Sequence, residues 1–365
     1  MTGTCRRIAG RLILATFFVH LLPPVGAART ETDLGLAGKK AYEVDRAAWM
    51  KGKWGVMTHY LFAWQSREHN LPRTAEQWNQ MVDAFDVDGL AEQVASTGAA
   101  YYLLTIGQNS THLLTPSPIF EELFIKGPSN CSRRDLVADM SEALARRGVK
   151  LMVYSTSHPP GSARQFGSTE GNPPGDHRNK ERMLAWERVL RQWSLRWGDK
   201  VAGWWLDGGY TPNLTLRYPD APNYQSLAAA CRAGNPMAVV TINRGVMDRP
   251  ISNTPYEDYT GGEINDIQTI RLWRIDSDGK VDGARLHLLS YLGEKWGVGQ
   301  PRYENLREIV LPNTFRVLEM GGAVTWDVPI QPSGLIADDF LGQLRAIGKA
   351  IADRESGATH DISMR

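Results

Sequence analysis

Short apolar runs alternate with longer amphipathic stretches along most of this chain. Residues 53–59, 101–105, 150–154, 203–207 and 237–242 are brief and largely apolar, and polar or glycine residues bound them. A parallel strand covered on both faces has this pattern, without the alternation of a half-exposed strand. Between these runs, residues 88–97 carry Leu90, Val94 and Ala95 at helical spacing and stop at Gly98. Residues 134–147 place Leu136, Val137, Met140 and Leu144 on one helical face before Gly148, and 179–197 and 224–233 predict two further helices. A sixth strand is weakly marked near 256–259, a seventh falls at 285–290 and an eighth at 322–326. Residues 306–320 are helical in pattern except for Pro312, which predicts a kink or a split. Residues 340–352 predict a closing helix.

Strand and helix in alternation, with no separate block of strands, imply a parallel sheet covered by helices. Eight strands over this length predict a (β/α)8 barrel forming one catalytic domain over residues 42–353. An open doubly wound sheet is the alternative, and the lack of a glycine-rich phosphate fingerprint after the first strand counts against it.

The N-terminus has a different pattern. Arg6, Arg7 and Arg11 precede the apolar run 12–19, and small residues follow at 25–28. These are the marks of a secretory signal peptide at 1–28, and they predict a secreted or periplasmic protein. The run is too short to read as a membrane span. Residues 29–41 read as a polar lead-in, and 354–365 as a polar tail.

The 365 residues carry a formal charge of +1, which offers no electrostatic footprint for nucleic acid. Twelve Trp and twelve Tyr with balanced charge favour a carbohydrate partner. No Cys or His spacing marks a zinc site, so neither metal nor cofactor is expected. Cys131 and Cys231 read equally well as one disulfide or two buried thiols. Asn109, Asn130 and Asn213 begin N-glycosylation patterns. The oligomeric state is left open.

In a barrel, residues just past the strands converge at one mouth. Here they are His59, Gln108 and Asn109, Tyr154, Asp207, Asn243 and Arg244, Glu257 or Asp258, and Trp326 with Asp327. Taken singly, each has an ordinary structural reading, such as a satisfied core histidine or a turn-capping carboxylate. Together they supply two carboxylates, aromatic walls and amide groups, which are the parts of a glycosidase. A retaining enzyme needs one carboxylate as nucleophile and a second as acid and base, about 5–5.5 Å apart. Asp207, rigidly placed at the end of Gly203-Trp204-Trp205-Leu206, is the expected nucleophile. Glu263, after Thr260-Gly261-Gly262, is the expected acid/base, with Glu257 as its competitor.

The chain resembles glycoside hydrolase family 29, the α-L-fucosidases, diffusely and in order from about residue 53 to 348. Residues 53–59 look like the family's first strand with its sugar-binding His, and 97–105 like its second. Residues 134–137 and 147–155 are similar to the next helix and strand, and 204–208 to the segment ending in the Asp nucleophile. Thr241-Ile242-Asn243-Arg244 with 258–263 resembles an Asn-x-Arg and Asp-Tyr-x-x-x-Glu pattern, and 293–297 and 321–322 also have counterparts. The resemblance implies a retaining, metal-independent hydrolase. Asp207 and Glu263 would be catalytic, and His59, Gln108, Asn109, Tyr154, Trp205 and Arg244 would bind the sugar. Two departures stand out. Gln108-Asn109 replaces the family's usual His-His pair, and His287 stands where other members carry a Glu before the Trp-Gly segment. The resemblance therefore implies cleavage of terminal L-fucose or a related sugar. A barrel acting on another sugar, and a non-catalytic carbohydrate-binding relative, are the alternatives.

Overall fold

The computed structural model of the chain describes residues 44–160, 169–210, 215–273, 275 and 278–357. The expected signal segment, the lead-in, Asn213 and residues 358–365 lie outside the described residues. No described helix is long and apolar enough to cross a membrane.

A seven-stranded parallel sheet is the frame. Its strands are β1 (Trp54–Thr58), β2 (Tyr101–Thr105), β3 (Lys150–Thr156), β4 (Val201–Asp207), β5 (Val239–Ile242), β8 (His287–Tyr291) and β9 (Ala323–Val328), in the order β5-β4-β3-β2-β1-β9-β8. A two-residue hairpin, β6 (Lys280–Val281) and β7 (Ala284–Arg285), precedes β8. The apolar runs predicted seven of these positions. They read as continuous because side chains of both parities are buried. Residues of one parity, such as Val56, Leu104, Val153, Leu206, Val240 and Val324, join the core beneath the helices. The other parity forms a second cluster with Met57, Tyr101, Leu103, Met152, Tyr154, Trp205, Val239, Tyr259, Leu289 and Ala323. A cluster drawn from every strand of the sheet requires the sheet to curl around it. Tyr101 shows how tightly it curls. Its ring passes Gly55, where a Cβ would lie 2.3 Å from a ring carbon, and its hydroxyl donates to the Val324 carbonyl on β9 at 3.1 Å.

Among the described residues no regular strand fills the eighth position. Irregular chain at 258–264 runs between the edges β5 and β8. Asp258 N donates to Val240 O (2.9 Å), and the Asp258 carboxylate accepts from Val240 N (2.9 Å), standing in for a strand carbonyl. On the other side, Arg285 N donates to Asp258 O, Thr260 N to Arg285 O, Leu289 N to Gly262 O and Ile264 N to Leu289 O, all at 2.8–3.0 Å. Gly262, at φ 69°, approaches the His287 carbonyl so closely that a Cβ would lie 2.0 Å from it. The ladder is interrupted here without a shift of register, Tyr259 pairing with Arg285 and Glu263 with Leu289, and this polar, glycine-containing segment gives only a weak strand signal near 256–259.

The helices cover the outer face. They are α1 (Phe62–His69), α2 (Ala75–Asp83), α3 (Val87–Ser96), α4 (Pro118–Phe124), α5 (Leu136–Ala145), α6 (Lys180–Trp197), α7 (Tyr224–Cys231), α8 (Val310–Glu319) and α9 (Asp338–Glu355). Asp86, Asp135 and Asn179 cap α3, α5 and α6 by accepting a backbone N–H, as short polar side chains do at helix starts. Pro312 does not kink a helix. The helix begins at Val310, so Pro312 falls in the first turn, where its missing N–H costs nothing. The closing helix runs three residues past 352, into the stretch read as tail. Cys131 and Cys231 are both buried free thiols.

Asp258 is wholly buried and also takes the Arg232 guanidinium at 2.5 Å. Removing its carboxylate leaves the buried Arg232 guanidinium without this anion and Val240 N without its acceptor. Asp258→Ala should therefore lower unfolding stability by about 3–5 kcal/mol. Urea denaturation checks this, and a midpoint equal to the wild type would show that the edge is held by other contacts.

Candidate active site

The inward parity carries the polar groups to one end of the sheet. Along β4 the inward positions are Gly203, Trp205 and Asp207; Tyr154, Asn243, Glu263 and Asp327 continue the same parity on their own segments. Trp205 is buried, stacks on Tyr154 at 5.1 Å and donates its indole N–H to the Gly261 carbonyl at 2.8 Å. It forms the floor beneath the polar layer and props Tyr154.

Asp207 is the hub. Its Oδ2 accepts from the Tyr154 hydroxyl (2.6 Å) and from Gln108 Nε2 (3.4 Å). Its Oδ1 accepts from Gly208 N (2.8 Å), the Tyr210 hydroxyl (3.1 Å) and Asn243 Nδ2 (3.2 Å). An ionised carboxylate only accepts, and these five donors turn toward this one. Gln108 Nε2 also donates to the Tyr154 hydroxyl at 2.6 Å, so amide, phenol and carboxylate form a relay.

Glu263 sits across Asn243. The same Nδ2 that reaches Asp207 lies 2.5 Å from Glu263 Oε2. The two carboxylate oxygens, 3.2 and 2.5 Å from one nitrogen, are therefore within 5.7 Å of each other. This upper limit lies below the roughly 6.5–9.5 Å between carboxyl groups that leave room for a water between them. Burial pushes the Glu263 carboxyl up to about 7; the Asn243 bond lowers it, and the charge of Asp207 raises it. The two carboxylates thus differ in surroundings, Asp207 with five donors and Glu263 with the Asn243 amide.

His59 follows β1, and its Nδ1 lies 2.8 Å from Asp327 Oδ1. Burial alone would lower the His59 pKa, but Asp327, by charge and hydrogen bond, together with Glu263 and Asp207, outweighs it and the net direction is upward. Asp327 is fully buried and accepts Gly297 N at 2.6 Å on its other oxygen. The Trp64 ring stacks on His59 at 5.9 Å, and Trp296 meets it edge-on at 6.3 Å. Both indoles are half-buried, and Trp64 Nε1 donates to the Trp296 carbonyl at 3.1 Å.

Of the residues singled out in the sequence, Asp207, Glu263, His59, Gln108 and Tyr154 share this centre. Asn109 is exposed and reaches it only through Gln108 Oε1, at 3.1 Å. Arg244 is exposed and lines a cavity of about 10 Å3 beside Glu263, with Met247 and Arg249. Trp205 is a supporting residue, because its buried faces are covered by protein. Glu257 does not reach the pair. Its carboxylate accepts Ile242 N, Asn253 N and the hydroxyls of Thr241 and Ser252, which folds the loop after β5. His287 lies inside the barrel with Nε2 2.8 Å from Thr325 Oγ1, and burial lowers its pKa to about 4, so it is a neutral core residue. Tyr210, Trp64 and Trp296 had no role in the sequence reading. Tyr210 lies three residues past the strand end; the indoles sit in loop or helix, where no strand pattern marks them. Asn243 and Asp327 were visible only as strand-end residues.

Neither a protein-family model nor a curated protein matches the sequence. Solved structures do match it. An endo-fucoidan hydrolase from glycoside hydrolase family 107 aligns with a TM-score of 0.64 at 18% identity, over 84% of this chain and 54% of that one. A second endo-fucoidan hydrolase of that family aligns with a TM-score of 0.64 at 20% identity, over 84% of this chain and 64% of that one. The α-L-fucosidase AlfC from Lactobacillus casei, in complex with α-L-fucose product, aligns with a TM-score of 0.56 at 15% identity, over 86% of this chain and all of that one. The chain thus spans about half the length of the first of these hydrolases. Its fold is one shared with fucose-acting glycoside hydrolases. The likeness extends beyond α-L-fucosidases to the family 107 enzymes.

The raised carboxyls give a pH test. Glu263 and Glu257, both pushed up to about 7 chiefly by burial, hold their protons more tightly folded than unfolded. Each contributes stability that is present below the ordinary carboxyl range and lost as pH rises through about 7. Compared across pH 4–8, the wild type should lose stability relative to Glu263→Gln as pH rises through this window, so the two slopes of midpoint against pH should differ. An unchanged slope in that variant would show that Glu263 titrates normally.

Proposed function

We propose that this protein is a retaining glycoside hydrolase that releases terminal α-L-fucose, working at the mouth of a (β/α)8-type barrel whose eighth position is the 258–264 segment. One observation carries the reading: two carboxylates of different surroundings meet on a single amide, close enough to flank one glycosidic bond in a double displacement. The shared fold of fucose-acting hydrolases supports the choice of sugar.

In the first step a lone pair of the Asp207 carboxylate attacks the anomeric carbon. The glycosidic C–O bond breaks, and the Glu263 proton passes to the departing oxygen. In the second step Glu263, now a carboxylate, takes a proton from water. The resulting hydroxide displaces Asp207, which restores both groups. Tyr154 and Gln108 hold Asp207 in line by donating to its Oδ2. His59, fixed by Asp327 on Nδ1, presents Nε2 to hydroxyls, and Trp64 and Trp296 supply flat apolar faces. Asn109 and Arg244 belong to the rim. The N-terminal pattern supports export of the mature chain. Internal cleavage of a fucose polymer is the second reading, favoured by the likeness to endo-fucoidan hydrolases.

The mature protein should release nitrophenol from para-nitrophenyl α-L-fucoside. Asp207→Asn should lower kcat by about 10³-fold or more while the protein stays folded. Glu263→Ala should slow substrates with poor leaving groups by about 10²–10⁴-fold and activated aryl fucosides far less. Full activity in Asp207→Asn would overturn the nucleophile. Monomeric fucose from a fucose oligomer supports terminal cleavage, and longer products support the internal alternative.

A further inference from the structure

We propose that Asn243 is the positioning residue of the carboxylate pair, holding Asp207 and Glu263 at their working separation with one amide; this rests on the double displacement described above. Asn243 is tied to both segments that carry the acids. Its backbone N donates to Leu206 O at 2.7 Å, and its carbonyl accepts Gly209 N at 2.8 Å, so it is fastened on either side of Asp207. Its side chain lies against the chain leading to Glu263. A Cβ at Gly261 would be 2.9 Å from Asn243 Oδ1 and 3.1 Å from its Cα, so only a residue without a side chain lets the amide lie there. Asn243 is 2% exposed, which leaves the amide little room to turn.

The chemistry of the position is restrictive. The nitrogen of an amide has two hydrogens in a fixed plane, one for each carboxylate, and its oxygen would be repelled by both. Aspartate has the same shape but offers no donor and adds a third negative charge. Serine is too short to bridge. An amide donor also favours the charged form of each acid, so Asn243 restrains the burial that pushes Glu263 up.

Two variants test this. In Asn243→Ala, kcat on aryl fucosides should fall about 10- to 100-fold with KM changed less than about threefold, as misplacement of reacting groups predicts. The alkaline limb of the kcat/KM profile should move up by about half a pH unit, because Glu263 loses a bond that favours its charged form. The isosteric Asn243→Asp should not restore activity. Independently of turnover, the Glu263 carboxyl resonance, assigned with Glu263→Gln by carbon NMR of the full chain, should titrate higher in Asn243→Ala than in the wild type. An unmoved Glu263 midpoint, or an Asp variant as active as the wild type, overturns the role. A wild type inactive on every fucoside overturns the hydrolase reading instead, and the NMR midpoint then decides Asn243's role by itself.

Discussion

The seam between β5 and β8 is the constraint on which the rest depends. A curled parallel sheet needs its two edges joined, and here the joining chain also carries Glu263. Asp258 fastens this segment to β5 by lending a carboxylate oxygen to Val240 N, while its backbone pairs with Arg285. Gly261 and Gly262 then let the chain run close to Asn243 and the His287 carbonyl. The register is kept across the two glycines, so Glu263 faces the same side as Tyr259. One short stretch thus closes the fold and delivers an acid beside Asp207.

The electrostatics follow from that placement. Two carboxylates at this separation repel each other, and burial penalises the charged form of each. The site meets this unequally. Asp207 has five donors around it, whereas Glu263 has one at 2.5 Å and is displaced toward neutrality by burial. The His59–Asp327 pair sets a further titratable group beside them, held from outside by Gly297 N. Glu257 makes the contrast plain. It is as strongly raised, also through burial, yet its oxygens are used up on Ile242, Asn253, Thr241 and Ser252. A perturbed carboxyl marks a site only when its geometry reaches a partner.

Much of the frame was legible because both faces of the sheet are buried. Continuous apolar runs at 101–105 and 203–207 have few other uses, and Gly98 and Gly148 end the helices α3 and α5 as expected. The sixth position was not legible, since residues 258–264 are mostly polar or glycine and make only isolated bridges with β7 and β8. Pro312 misled because a helix interior and a helix first turn differ only in where the helix starts. The site was legible in part. Asp207 and His59 stand at or just past strand ends and Tyr154 lies two residues inside the end of β3, where position alone restricts their direction. Trp205 looked like a sugar platform, but its faces are taken by Tyr154 and the chain at Gly261.

By itself the sequence determined the alternation of strands and helices, the strand that ends in Asp207, and the set of polar residues at the strand ends. These depend on local period and composition, which a chain carries without its fold. Only the tertiary structure decided which carboxylate meets Asp207. Glu257 and Glu263 are six residues apart and chemically alike, and the choice between them depends on a curl that brings β4, Asn243 and residues 258–264 together. That juxtaposition comes from long-range closure of the sheet, and no local pattern in the chain encodes it.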